Sequence, residues 1–180
     1  MKKILFLITI AMTACNFNTS ANPEKSLNHD ASSAQAPTTY YFIRHAEKDT
    51  SNPVDKDPEL AEVGIKRAEK WAQVFKDVPF DLIYSSDYKR TRSTAQKVAD
   101  SQDKDVKIYD ARKLNDDSFK ENTKGKTVLI VGHSNSNPAF VNYILEEKKY
   151  SDIPETESGS LFIVTVFPDG TKQSQVLYIN

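Results

Sequence analysis

The sequence predicts an α/β protein of three layers (α/β/α), with a mostly parallel central sheet and a C-terminal antiparallel hairpin. Three observations carry this. Short runs of strand-forming residues alternate with helical patterns from residue 40 to residue 147, the order of βαβ units around a parallel sheet. Thr127-Val128-Leu129-Ile130-Val131 is almost wholly β-branched or aliphatic, as in a central strand covered on both faces. Two β-rich runs, 160–167 and 173–179, flank the turn signal Pro168-Asp169-Gly170 and read as a hairpin at the sheet edge.

The bulk numbers set bounds. A chain of 180 residues suits one domain with extensions. A formal net charge of -1 gives no basic stripe for nucleic acid. Cys15 is the single cysteine, so no intrachain disulfide forms.

Residues 1–15 read as a targeting segment. Lys2 and Lys3 precede an apolar run over 4–12 broken by Thr9, too short to span a bilayer. Met12-Thr13-Ala14-Cys15 resembles a bacterial lipobox, with Met12 where leucine is usual. On that reading Cys15 is acylated after cleavage, and the lipid holds the protein to a membrane of the bacterial cell envelope, on its periplasmic or outer face. The alternative is an ordinary signal peptide cleaved near Ala14, leaving a free thiol. Residues 16–37 are rich in Asn, Ser, Ala, Pro and Thr. They cannot bury enough apolar surface to offset their ordering entropy, and so read as a flexible tether. His29 lies there as a solvated residue. The folded domain is expected over 38–180.

Tyr40-Tyr41-Phe42-Ile43 is a strand that ends on Arg44-His45. The carboxyl ends of strands in open α/β sheets are where ligands bind. A guanidinium fork beside an imidazole offers anion binding and either nucleophilic or proton chemistry there. A polar loop with Pro53 and Pro58 follows and forms the rim. Residues 59–76 have helical spacing, with Leu60, Val63, Ala68, Trp71, Ala72 and Phe75 on one face. Pro79 stops the helix. A second strand, 80–84, runs into Ser85-Ser86-Asp87, and a helix over 88–99 carries Arg90 at its N-terminus, itself a favourable anion position. Residues 106–109 form a third strand; 110–126 is polar and unassigned. The strand 127–131 then delivers His133 at its carboxyl end. The helix over 139–147 follows, with Pro138 at an early position that suits it.

Three strand ends thus carry Arg44-His45, Arg90 and His133. Arg forks match phosphoryl oxygens. One histidine can attack phosphorus, and the other can donate to the charge that builds on the oxygens. A metal centre is the rival reading, but the flanking arginines repel a divalent cation and no carboxylate trio accompanies the histidines. No metal or cofactor is expected.

At this point the chain resembles the histidine phosphatase superfamily, the phosphoglycerate mutase-like fold. Arg44-His45-Ala46-Glu47 is similar to its Arg-His-Gly signature, with Ala46 in place of glycine. Leu60-Ala61-Glu62-Val63-Gly64 with Arg67-Ala68 resembles its first-helix pattern. Tyr84-Ser85-Ser86 with Arg90-Thr91 and Thr94-Ala95 resembles the block of the second arginine, and Val131-Gly132-His133-Ser134 that of the second histidine. Together these cover most of residues 39–140. The resemblance implies a transient phosphohistidine on His45, with Arg44, Arg90 and His133 as the phosphate pocket, and a phosphorylated small molecule as substrate. It is nearest the short, lidless branch that acts on phosphohistidine. The family's acid is a glutamate after the second arginine, or an aspartate directly after the second histidine. Ser134 stands at the latter place, so Asp116 or Asp117 is the expected acid, with Asp110 and Glu121 nearby. Without an acid, only substrates with good leaving groups turn over well. The alternative is a phosphate-binding module of the same fold with weak or no turnover.

Overall fold

The computed structural model describes residues 35–113 and 116–180. Residues 1–34, and with them the targeting segment, Cys15, His29 and most of the tether, lie outside the described residues.

Six strands form one sheet in the order β3-β2-β4-β1-β5-β6. They are β1 (Thr38–Arg44), β2 (Leu82–Ser86), β3 (Val106–Tyr109), β4 (Thr127–Gly132), β5 (Ser160–Val166) and β6 (Lys172–Tyr178). Strands β1, β2, β3 and β4 run parallel; β5 runs antiparallel to β1, and β6 antiparallel to β5. Helices α1 (Glu62–Val74), α2 (Lys89–Ser101), α3 (Asp117–Thr123) and α4 (Ser136–Leu145) join the parallel strands and lead toward β5. The fold expected from the sequence is the fold observed.

β4 shows why the layers form. Its residues Val128 to Val131 are fully buried, and because side chains alternate across a strand, Val128 and Ile130 enter one core while Leu129 and Val131 enter the other. The first core takes Phe140, Val141 and Ile144 from α4, with Phe119 of α3 packed against it. The second takes Trp71 of α1 and Ala95, Val98 and Ala99 of α2, together with Phe75 and Phe80. The helices therefore cover the sheet in two pairs, one on each face.

Some elements shift against expectation. Val63 is exposed and outside the apolar stripe of α1, which runs through Gly64, Ala68 and Trp71. Leu60 precedes the helix and bridges Lys48. The unassigned polar stretch contains α3, too short to show a helical period. It is capped by Asp116, whose carboxylate accepts from Phe119 N at 2.7 Å, and held down by Phe119 against Tyr84 and Phe140. At the hairpin tip, Gly170 takes a φ of 86°, a left-handed conformation that glycine adopts at no steric cost.

β4 lies between β2 and β1, with Arg44 opposite Gly132 and Ser85 opposite Val131. Three carboxyl ends therefore stand side by side. β5 begins at this same end, because it pairs antiparallel with β1 and sets Leu161 opposite Ile43.

Candidate active site

The site begins where β1 stops. His45 N donates to Gly132 O at 2.9 Å, extending the β1–β4 ladder one residue past the strand. Arg44 and His45 are both buried. The next turn is clamped from below: Ala46 N donates to Thr94 Oγ1 at 3.0 Å, Ala61 N to Glu47 O at 2.9 Å, and Arg67 Nε to Glu47 Oε1 at 2.7 Å. Gly64 is required by this clamp, since a Cβ there would stand 2.1 Å from Glu47 O.

The imidazole of His45 has a fixed tautomer. Its Nδ1 lies 2.8 Å from Ala46 O. A carbonyl only accepts, so Nδ1 carries the proton and Nε2 the lone pair. Burial lowers its pKa to about 3, with Arg44, Arg90 and His133 adding to the effect and the Ala46 bond opposing it. The ring is therefore neutral at neutral pH, as a nucleophile must be.

His133 is delivered by β4. Its ring centroid lies 5.5 Å from that of His45 and 5.0 Å from that of Tyr88. Its Nε2 lies 2.8 Å from Ser86 Oγ. Ser86 Oγ in turn donates to Thr91 Oγ1 at 3.1 Å, and Thr91 Oγ1 to Ser86 O at 2.7 Å. This relay is satisfied throughout when His133 Nε2 donates to Ser86. Burial, Arg90 and Arg44 lower the His133 pKa to about 4, against a smaller opposing pull from Glu155.

Arg90 is the second residue of α2. Its guanidinium stands 4.5 Å from the Tyr88 ring centroid, and Nη1 is 3.4 Å from Asp57 Oδ1. Arg44 is held more tightly. Its Nη1 donates to the carbonyls of Pro154, Glu155 and Glu157 at 3.3, 2.7 and 3.0 Å, and its Nη2 to Glu155 Oε2 at 2.6 Å. The Nε atoms of both arginines are buried without a protein acceptor among the described residues. Buried N–H groups are rarely left so, and two of them on guanidinium forks fit an oxyanion.

The cleft over these groups measures about 610 Å³ and is lined by His45, Arg90, His133, Lys48, Arg112 and Glu155, among others. It adjoins a second cavity of about 530 Å³ that shares Tyr88, Ala111 and Arg112. Among the described residues, no group of three or more His, Cys, Asp and Glu side chains is placed to hold a metal ion.

The structure thus brings together Arg44, His45, Arg90 and His133, and it does not bring Asp116 or Asp117 to them. Asp116 is spent on capping α3. Asp117 pairs with Lys120 and lines a separate cavity with Thr38 and Tyr40, residues at the opposite end of β1. Asp110 pairs with Arg112, and Glu121 lines the same cavity as Asp117. The carboxylates that do line the cleft are Asp152 and Glu155. Sequence reasoning missed both, since they lie in a polar loop after α4 with no motif around them. Only the antiparallel pairing of β5 with β1 could have placed that loop here. Lys48, three residues after His45, also lines the cleft unforeseen.

The four converged residues define an oxyanion site at the carboxyl ends of an α/β sheet, with a neutral imidazole set among cations. The profile of the histidine phosphatase superfamily (branch 1) matches residues 40–116. Phosphoserine phosphatase 1 of Hydrogenobacter thermophilus is 41% identical over 70 residues, a stretch covering 36% of this chain and 33% of that relative. Among solved structures, a protein assigned as the phosphohistidine phosphatase SixA of Agrobacterium tumefaciens superposes with a TM-score of 0.60 at 23% identity, over 79% of this chain and 99% of that one. A phosphoserine phosphatase of Entamoeba histolytica in complex with 3-phosphoglyceric acid gives 0.58 at 20% identity, over 79% and 97%. Residues 40–116 thus resemble the histidine phosphatase superfamily, and the solved structures share the fold over most of the chain.

Proposed function

We propose that the chain is a phosphatase, hydrolysing phosphate monoesters or other phosphorylated small molecules through a phosphohistidine on His45. The observation that carries this reading is the state of His45. It is buried and neutral, its Nδ1–H is committed to Ala46 O, and it stands among Arg44, Arg90 and His133.

In the first step the Nε2 lone pair attacks phosphorus. The bond to the leaving atom breaks (oxygen in an ester or acyl phosphate, nitrogen in a phosphoramidate), and that atom takes the electron pair and, where it needs one, a proton from solvent. In the second step water attacks the phosphohistidine. The P–N bond breaks, the electron pair returns to Nε2, and phosphate leaves with the water's oxygen. Arg44 and Arg90 hold the equatorial oxygens. A phosphoryl dianion beside His133 raises that residue's pKa and favours its donating form.

The leaving group's proton decides the substrate class. Hydrogen bonding from Ser134 and the charge of Arg44 hold Glu155 below the usual carboxylate range, so it is a poor acid at neutral pH. We therefore expect good leaving groups, such as acyl phosphates or phosphoramidates like phosphohistidine, to be favoured over alkyl esters. The solved structure assigned as a phosphohistidine phosphatase fits this preference, whereas the relative named as a phosphoserine phosphatase acts on an alkyl ester. The Cys15 motif supports a lipid-anchored location outside the cytoplasm, which points to substrates of the cell envelope.

A second reading is a phosphate-binding module of the same fold with little turnover. It is favoured by the absence of Asp116 and Asp117 from the cleft. Hydrolysis of an activated aryl phosphate by the purified chain, beside His45→Ala, separates the two. Turnover that His45→Ala abolishes supports the phosphatase. Equal background from both folded proteins, with phosphate still bound by the parent, leaves the binding module.

A further inference from the structure

Two donors of the cleft are already gripping an anion that belongs to the chain itself. Arg44 Nη2 donates to Glu155 Oε2 at 2.6 Å, and Ser134 Oγ donates to Glu155 Oε1 at 2.5 Å. Glu155 lies close enough to the imidazoles for its charge to act on both. Its side chain is 68% exposed, whereas that of Arg44 is 4% exposed, so the carboxylate can swing to solvent and the guanidinium cannot follow. Nor does Arg44 need it, since Nη1 stays fixed by three main-chain carbonyls. A carboxylate and a phosphoryl group offer a donor pair the same thing: two oxygens on one centre sharing negative charge.

We propose that Arg44 Nη2 and the Ser134 hydroxyl form a subsite for a phosphoryl oxygen, and that Glu155 fills this subsite as an internal oxyanion which the substrate must displace. The inference rests on the phosphoryl-site reading above. It gives Ser134 a binding role and gives Glu155 the role of a competitor. The competition weakens entry of substrate and product alike, and so assists release of phosphate after hydrolysis. The plainer view is a partly exposed ion pair of little consequence. That view predicts no change in oxyanion affinity when Glu155 is removed.

The test is calorimetric titration of the purified full chain with inorganic phosphate and with vanadate, for the parent, Glu155→Ala, Glu155→Gln, and Glu155→Ala combined with Ser134→Ala. Glu155 is a loop residue with an exposed side chain, and thermal melting checks that each variant folds. The expected result is binding about tenfold tighter in Glu155→Ala, equivalent to ~1.4 kcal/mol. Glu155→Gln should give a smaller gain, and adding Ser134→Ala should cancel most of the gain in Glu155→Ala. Binding by the parent that is unchanged or weakened in Glu155→Ala overturns the competitor role while leaving the phosphoryl site intact. A tightening that Ser134→Ala does not reverse overturns the role of Ser134. No binding to any of the four folded proteins overturns the phosphoryl-site reading and the inference with it.

Discussion

The two imidazoles of the site should make the domain sensitive to mild acid, in a pH range where little else titrates. The perturbation is a shift from pH 7 to pH 5. In the folded state His45 and His133 have pKa values of about 3 and about 4, against an ordinary value of about 6.5 in the unfolded chain. Across this range the unfolded chain binds protons that the folded state refuses, so stability falls as pH falls. Each imidazole costs about 2 kcal/mol over the two pH units by linkage, and the pair about 4 kcal/mol. That is a large part of the ~5–15 kcal/mol typical of a domain. The carboxylates with resolved shifts, Asp49, Asp110, Glu146, Glu155 and Asp169, are all displaced downward. Their stabilising contributions are accordingly lost at lower pH, below the window in question. The assay is urea unfolding followed by circular dichroism at half-unit pH steps in phosphate-free buffer, for the parent and for His45→Asn combined with His133→Asn. The parent should lose stability with a slope of up to ~2.7 kcal/mol per pH unit between pH 6 and 5, and the double variant should be nearly flat. A parent as flat as the variant would refute the claim that these imidazoles are held neutral by burial among arginines.

Three further outcomes follow from named contacts. Gly64→Ala should destabilise the domain by roughly 2–4 kcal/mol in thermal or urea melts, despite alanine's better helix propensity, because its methyl meets Glu47 O. Activity should fall with it, since that backbone forms the turn behind His45. Ser86→Ala removes the oxygen 2.8 Å from His133 Nε2; kcat should drop about tenfold, near one hydrogen bond's ~1.4 kcal/mol, and the acid limb of the pH–rate profile should move. Asp116→Ala should cost ~1 kcal/mol of stability through loss of the α3 cap and leave kcat unchanged; a large loss of kcat with poor leaving groups would restore Asp116 as the acid.

The fold was legible where periodicity is strong and long. The unbroken aliphatic run of β4 announces a strand buried on both faces, and the Pro-Asp-Gly tip announces the hairpin. Arg44-His45 and His133 were legible because they stand at the carboxyl ends of such strands, so the chain itself carries them to the ligand end of the sheet. Val63 misled because a helical wheel gives which residues can share a face, not which face the sheet will cover. The clamp on Glu47 brings Gly64 rather than Val63 toward the turn behind His45. Asp116 and Asp117 misled because a carboxylate in a polar stretch reads alike whether it caps a helix or enters a site. Here a seven-residue helix needs Asp116 for itself. Glu155 was illegible for a different reason: nothing local marks it, and its place depends on the direction of a strand that follows it.

That direction has consequences for the chemistry. Had β5 run parallel to β1, the loop after α4 would have entered the sheet at the amino end of β1, far from Arg44. Because β5 runs antiparallel, its first residues lie beside the last residues of β1, and the preceding loop must cross the mouth of the site. Ile153 N ties the loop to Ser134 O at 2.8 Å, and the carbonyls of Pro154, Glu155 and Glu157 converge on Arg44 Nη1. The loop thus fixes the arginine from one side with neutral acceptors, which hold it in place without neutralising its charge. The same loop sets one carboxylate against the opposite edge, where a ligand would compete for it. Arg44 therefore does not need substrate to be placed, and substrate does not find it free. The one reversal of strand direction in the sheet next to β1 supplies both the rigidity of the binding site and its competitor.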